Sequence, residues 1–531
     1  MIEELVSQGK WWLPHKPEVV IPGKLSFSPN SGAKLELSGS FYDSQFKEIG
    51  PVKDLYPDTK IPFEDKEITE QRIALDFIEP EETIVLGLIE NNEEVTLYKC
   101  FGKITNFDSK GRLTLFFQAT YIFLKIHFQN EQEINFKSVS TRYSHLEEWV
   151  GKSGVQASFS KNKNEHKLRK LSISYQPPET ISLAKVEELD ISITFSQIYI
   201  NPFDIYFPTI YYKGNVEQKT FLTLHNPQSK SVDKCVELIV NFRNFLSFAM
   251  SKPASITSVT GKIDTTYEQP VAKDDGTYTT EQKVRETQVE ILFACWHSEN
   301  YSKIKIQTHE MLFLYSDVEN KLGTVFKEWL KKKKMYESVF ELLMITVYTP
   351  SLYLHYGFLN IIQALEVYHG NKYKGTYQEN KTYKEGVYKK LLEVIENFPS
   401  DNPDSGYGIS DDFRAALKGK LNFLNQNSLQ TRLGEIVEDI TCLLPDDFIG
   451  DTQAKKEFIR KASNTRHALA HHNKKQKKKA AKEQELRQLF HTLTVILQAC
   501  LLRELGLADE SIKSLIKRNR KYQREWRSPS E

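Results

Sequence analysis

The sequence predicts an α+β multidomain protein. A β-rich N-terminal region, of sandwich- or barrel-like sheets with a few helices, covers residues 1–315, and an all-α helical bundle covers 316–531. Three observations predict this. The chain has 531 residues, too many for one ordinary core. Apolar residues are 40% and charged residues 27% of it, the mixture of a folded chain and not of a disordered one. Its apolar pattern alternates with period two up to about residue 310 and recurs with period 3.6 from about residue 318.

The strands follow in order. Lys24 to Ser28 alternates, Pro29-Asn30-Ser31-Gly32 turns, and Lys34 to Ser38 alternates again, so these residues form a hairpin. Thr83 to Ile89 and Val95 to Phe101 flank Asn91-Asn92 in the same way. Leu113 to Phe128, rich in aromatic and β-branched residues, is one long strand or two short ones. Further strands are expected over Leu171 to Tyr175, Ile191 to Ile200, Thr220 to His225, Ile256 to Ile263 and Val289 to Trp296. The polar, Thr-rich Asp264 to Arg285 reads as a mobile hairpin or loop. Two helices interrupt the strands, a short one over Ser144 to Val150 and a longer one over Val232 to Met250.

Helices then dominate. Phe326 to Thr349 is a helix or helix pair, with Lys331 to Lys334 as a solvated face. Ser351 to His369 follows, with Tyr353, Tyr356, Leu359, Ile362, Leu365 and Glu366 near one face. Further helices are expected over Lys384 to Asn397, Asp411 to Asn425, Gln430 to Leu443, Thr452 to His472, Lys479 to Leu505 and Asp509 to Tyr522. Asp451 is a natural N-cap for the Thr452 helix.

Composition excludes several classes of function. The formal net charge is +1, so attraction to nucleic acid must come from local patches. The five cysteines, Cys100, Cys235, Cys295, Cys442 and Cys500, are scattered and form no CxxC pair. A disulfide framework and a thiolate zinc site are therefore poor readings, and reduced thiols in a cytoplasm are expected. The N-terminus carries early acids and no apolar core, unlike a secretory signal. No stretch has the roughly 20 apolar residues that span a bilayer, so no membrane partner is expected.

One segment carries chemistry, Thr465-Arg466-His467-Ala468-Leu469-Ala470-His471-His472. RNA can be cut by its own 2′-hydroxyl attacking the adjacent phosphate. That attack needs proton transfer near neutral pH, which suits histidine. It also builds charge on the phosphate, which a guanidinium meets with two hydrogen bonds. No metal or cofactor is required. On an ideal helix Arg466 and His471 stand about 140° apart, so a long arginine must reach round.

Other readings stand beside this one. Arg466 and the histidines can be a helix-end cap on a basic surface. His467 and His471, spaced i, i+4, suit two zinc ligands, but the glutamate of the metalloprotease motif is replaced by Ala468. The histidines can also contact nucleic acid without catalysis. The following run, Lys474, Lys475, Lys477, Lys478 and Lys479, is a solvated loop or a phosphate-tracking patch. The basic tail from Lys513 to Arg527 interleaves Tyr522 and Trp526, a pattern that suits backbone contacts or stacking.

The Arg466–His471 segment resembles the signature of HEPN domains, an arginine, a polar residue, a few more residues and then histidine. His467 fits the polar second position. The placement also matches, late in an all-α domain and followed by one more long apolar-faced helix. Ala364-Leu365-Glu366 resembles the acidic position that many HEPN domains carry in an early helix. The whole chain is similar to the ApeA-like anti-phage family, in which a β-rich N-terminal domain precedes a HEPN domain.

The resemblance implies metal-independent endoribonuclease activity in abortive infection, on single-stranded or loop RNA such as transfer RNA. It implies a homodimer through the HEPN domain, with both Arg–His pairs lining one cleft. It assigns Arg466 to the phosphate, His471 to proton transfer, His467 and Glu366 to support, and leaves His472 as an alternative proton carrier beside the lysine run. It implies that the N-terminal region senses a phage-derived trigger. A HEPN-like module that binds RNA or protein without cutting is the alternative.

Overall fold

The computed structural model describes residues 4–39, 41, 46–47, 72–73, 83–107, 113–161, 168–186, 188–196, 218–225, 231–272, 278–295, 305–400, 407–471 and 478–526. The chain divides into two compact units, Met1–Arg243 with Ala254–Ile304, and Asn244–Pro253 with Lys305–Glu531.

The first unit is built on strands β1 (Leu5–Leu13), β2 (Lys16–Ser28), β3 (Gly32–Leu37), β4 (Phe46–Lys47), β5 (Arg72–Ile73), β6 (Thr83–Leu88), β7 (Glu94–Phe107) and β8 (Leu113–Leu124). It continues with β9 (Ser138–Tyr143), β10 (Val155–Lys161), β11 (Leu168–Tyr175), β12 (Ile181–Val186), β13 (Leu189–Phe195), β14 (Thr220–His225), β15 (Ile256–Ala272) and β16 (Tyr278–Phe293). Six strands close into an antiparallel barrel in the order β1-β2-β3-β8-β7-β6, with β6 returning to β1. The sheet leaves the barrel at β8. Ala119 and the residues before it pair with β3, whereas Tyr121 to Leu124 pair with β16. Beyond β16 the order is β15-β9-β14-β13-β12.

Local chemistry explains the turns. Gly32 takes φ +78° in the β2–β3 turn, and Asn91 and Asn92 take φ 62° and 58° between β6 and β7. Such angles suit glycine and, next, asparagine. Gly87 is required by packing. A Cβ there would stand 2.2 Å from the ring of Trp11, which is fully buried and faces Gly87 across the β1–β6 pair.

Two strand expectations change. Asp264 to Arg285 is not a loose loop, because β15 and β16 pair continuously from Thr260↔Glu290 to Ala272↔Tyr278. Its threonines are strand formers, and Thr265 and Thr287 hydrogen-bond across the strands at 2.6 Å. The strand beginning near Ile191 ends at Phe195, and Ile200 lies outside the described residues.

Helices α1 (Leu146–Val150) and α2 (Val232–Met250) follow the sequence. The second unit takes the last turns of α2, then α3 (Leu322–Met335), α4 (Glu337–Tyr348), α5 (Leu354–Lys372), α6 (Lys389–Glu396), α7 (Asp411–Leu421), α8 (Leu429–Ile440), α9 (Thr452–His471), α10 (Glu483–Glu504), α11 (Asp509–Arg518) and α12 (Arg520–Trp526). Phe245 and Phe248 of α2 pack on Phe313 and Trp329, and Trp329 meets Phe340 edge-on at 4.7 Å. The spine is α10, where Leu493, Ile496, Leu497, Cys500 and Leu501 are all buried.

Three helical details differ from the sequence reading. The buried face of α5 is Phe358, Ile361, Ile362, Leu365 and Tyr368, whereas Tyr353 and Tyr356 are exposed. Lys332 is not on a solvated face, because it and Lys372 close on Glu504, which also accepts from the Tyr368 hydroxyl. The last helix breaks at Asn519, whose amide donates to the carbonyls of Glu310 and Met311 and whose Oδ1 accepts from the N–H groups of Lys521 and Tyr522. Tyr522 is buried, with its hydroxyl donating to Gln498, so it does not stack on nucleic acid. Among the described residues no helix is long and apolar enough to cross a membrane.

Candidate active site

Helix α9 begins as its sequence requires, with the Ala454 N–H donating to Asp451 at 2.9 Å. It ends at His471. Its buried residues Ala462, Ser463, Thr465 and Ala468 are small, so the helix lies close against its neighbours. Ala462 is fully buried, while Phe458 and Leu469 are only half-buried.

Thr465 acts as a clasp. Its hydroxyl donates to the Lys461 carbonyl at 2.8 Å and accepts from the Ala481 N–H at 2.9 Å. The chain that leaves α9 after His471 is thereby brought back beside Arg466 before α10 begins. Lys478 and Lys479 form an exposed turn just before that point. The side chain of His471, together with His472, Lys474, Lys475 and Lys477, lies outside the described residues.

Arg466 follows the clasp. Its Nη2 stands 3.6 Å from Oε2 of Glu366 on α5, and the two side chains are 31% and 21% exposed. The separation is that of an ion pair longer than an ordinary hydrogen bond. A guanidinium carries five N–H donors, so a carboxylate contact of this length leaves it able to bind a second oxyanion. His467 is half-buried beside it.

Sequence reasoning joined Glu366 and Arg466 only through the resemblance, and the structure brings them together. It missed His369, one turn after Glu366. His369 is fully buried, its Nε2 is 2.6 Å from Glu435 of α8, and its ring stacks on Tyr373 at 4.7 Å. Its Nδ1 has no hydrogen-bond partner among the described residues. The signal was the i, i+3 spacing of Glu366 and His369, which places both on neighbouring parts of one helix surface.

A cavity of about 270 Å³ opens elsewhere on α9, walled by Phe448, Phe458, Leu489, His491, Thr492 and Tyr522. Phe458 lies eight residues before Arg466, about 12 Å along a helix, so this cavity is separate from the Arg466–Glu366 pair.

Residues 7–329, more than half of the chain, match the family described as ApeA N-terminal domain 1. The chain belongs to the ApeA family. Residues 359–511 match the family described as Apea-like HEPN, a span that takes in Glu366, His369, Arg466 and His471. The ApeA fold here is thus a β-rich N-terminal region, with its six-strand barrel and extra strands, followed by a helical HEPN region. The HEPN match supports a nuclease-type or RNA-related role in defence. Comparison with curated proteins and with solved structures finds no match.

Proposed function

We propose that this ApeA-family chain is a metal-independent endoribonuclease of anti-phage defence, which cuts single-stranded or loop RNA, transfer RNA included. The observation that carries the reading is the Arg466–Glu366 pair at the end of α9, inside the matched HEPN span and five residues before His471. The HEPN domain forms a homodimer that holds two such ends in one cleft. The N-terminal region keeps the enzyme silent until it meets a phage component.

The chemistry follows from the residue types. The ribose 2′-oxygen attacks the adjacent phosphorus as its proton passes to a base, and the 5′-oxygen of the next nucleotide leaves as it gains a proton. The products are a 2′,3′-cyclic phosphate and a 5′-hydroxyl. His471 moves the protons, a step worth roughly 10²–10⁴-fold. Arg466 binds the non-bridging oxygens, where charge develops, and Glu366 and His467 hold it in place. The lysine run from Lys474 to Lys479, with His472, tracks the substrate backbone.

The test is infection of cells carrying wild type, Arg466→Ala or His471→Ala, followed by sequencing of RNA ends. Protection by wild type with new cyclic-phosphate ends, both lost in the variants, is expected. Equal protection by His471→Ala, or protection without new ends, removes His471 as catalyst. A second reading has its own observation, since Arg466 is already engaged by Glu366 as a structural ion pair would be. A non-catalytic HEPN module then binds RNA or protein without turnover.

A further inference from the structure

Helix α5 hands over to a strap, residues 370–390, that joins it to α6. Residues 370–390 hold six lysines, Lys372, Lys374, Lys381, Lys384, Lys389 and Lys390, against Glu379 and Glu385. That is a net of four positive charges in a chain whose total is +1. Tyr373, Tyr377, Tyr383 and Tyr388 are interleaved with them.

The strap is held rigidly. Thr376 bridges Gln426, the Tyr377 N–H donates to the Asn425 carbonyl at 2.9 Å, and the Asn427 N–H donates to the Gly375 carbonyl at 3.0 Å. The buried Asn425 side chain completes the zipper, accepting from the Gln378 N–H and donating to its carbonyl. Tyr373 and Tyr383 are tied by their hydroxyls, to Asp439 and to the Leu421 carbonyl, each at 2.6 Å. A π-helical turn, a feature that often marks functional segments, covers Tyr383–Tyr388.

Tyr377 differs from its neighbours. Its hydroxyl is fixed at the start of α8, accepting from the Ser428 N–H at 3.2 Å, yet the residue is 59% exposed. Two residues from Asn425, its pairing partner, Phe423 is 66% exposed, and Leu424 beside it is 55% exposed. An exposed ring anchored by its own hydroxyl, as that of Tyr377 is, makes a pre-organised stacking platform, and Phe423 adds a second exposed aromatic face. In the same segment Lys381, Lys384, Lys389 and Lys390 are exposed and have no carboxylate in ion-pair range among the described residues, and Lys374 meets Glu379 only at 4.0 Å.

We infer that this strap is a docking surface for single-stranded RNA, with bases stacking on Tyr377 and Phe423 and phosphates meeting Lys374, Lys381 and Lys384. The inference rests on the nuclease reading only for the identity of the RNA as substrate. By helix rise and chain reach, Tyr377 lies at most about 25 Å from Glu366, so one strand spans both.

The test uses the full chain carrying Arg466→Ala and His471→Ala, so that RNA is not cut. The probe is a fluorescein-labelled single-stranded 12-nucleotide RNA, followed by anisotropy over a salt series. Tyr377→Ala with Phe423→Ala should weaken binding by about 30-fold or more. Tyr377→Trp should hold the affinity, and circular dichroism melts should shift only slightly, because both rings are exposed and what the variants lose besides them is the Tyr377 hydroxyl's contact with the Ser428 N–H. Lys381→Ala and Lys384→Ala should each flatten the salt slope by about 0.7.

Affinity and slope unchanged in these variants overturn the inference, as does failure of the parent chain to bind the probe. Loss of phage protection with RNA affinity intact also overturns it and assigns the surface to a protein. If the strap variants lose RNA binding but wild type yields no new RNA ends in infected cells, the surface stands and the nuclease reading falls. If wild type yields ends and the strap variants bind and cut normally, the reverse holds.

Discussion

Glu366 makes a specific demand on Arg466. A carboxylate 3.6 Å from the guanidinium orients it and also competes with the incoming phosphate. Glu366→Gln should lower cleavage about tenfold, against roughly 10²–10³-fold for Arg466→Ala. The double variant should be no worse than Arg466→Ala alone, because the two act as one unit. Additive losses in a cleavage assay would separate them. A second residue-scale demand falls on Glu504. Burial opposes its ionisation, but hydrogen bonds from Lys332 and Lys372 outweigh that and hold its carboxyl below the ordinary range. A depressed carboxyl contributes stability above its unfolded value, about 4.3, and loses it as pH falls through the lower folded value. Urea titrations should therefore show wild type about 2–3 kcal/mol more stable than Glu504→Gln at pH 7, less than for a fully enclosed pair because the lysines keep some water. The gap should begin to close as pH falls below the unfolded value and vanish once the lower folded value is passed, and a gap independent of pH would refute the ionic account.

Elements show what the sequence could reveal and what it could not. The β2–β3 and β6–β7 hairpins were legible because their registers are set by turn residues a few positions apart, Gly32 and the Asn91-Asn92 pair. The barrel closure was not, since β3 meets β8 and β6 returns to β1 across long separations that no local pattern records. Helix α9 and the Arg466–His471 segment were legible from the cap and the motif. His369, the strap and the Lys332–Glu504–Lys372 cluster were not, because each depends on a partner far along the chain. Tyr353 and Tyr356 misled for a related reason, as helical spacing reports a shared face but not which face is covered. Gly87 gives this scale its test. Alanine there must displace the buried ring of Trp11 from a site with no spare volume, which costs about 1–3 kcal/mol. A denaturant midpoint that does not move would mean the barrel relaxes around the ring.

At the scale of the whole molecule the decisive quantity is a net charge of +1. A nearly neutral chain has no long-range field to gather RNA, so encounter should be slow and affinity should reside in patches. The described strap is one such patch, and the run Lys474, Lys475, Lys477, Lys478 and Lys479 is another in the sequence. The Thr465–Ala481 clasp holds the described end of that run, Lys478 and Lys479, close to α9, so on the nuclease reading proposed above these lysines would meet phosphates near the cut. Replacing all five lysines by alanine should lower affinity for a single-stranded RNA at low salt. It should also flatten the plot of log affinity against log salt by as much as about 3.5, at roughly 0.7 for each phosphate that is no longer neutralised. The same replacement of Lys331 and Lys333 on α3 should leave the slope alone, because total charge is not what binds. A slope that responds equally to both sets would mean RNA is held by overall charge, and an unchanged slope in the first set would make the run a solvated loop whose lysines only keep it in water.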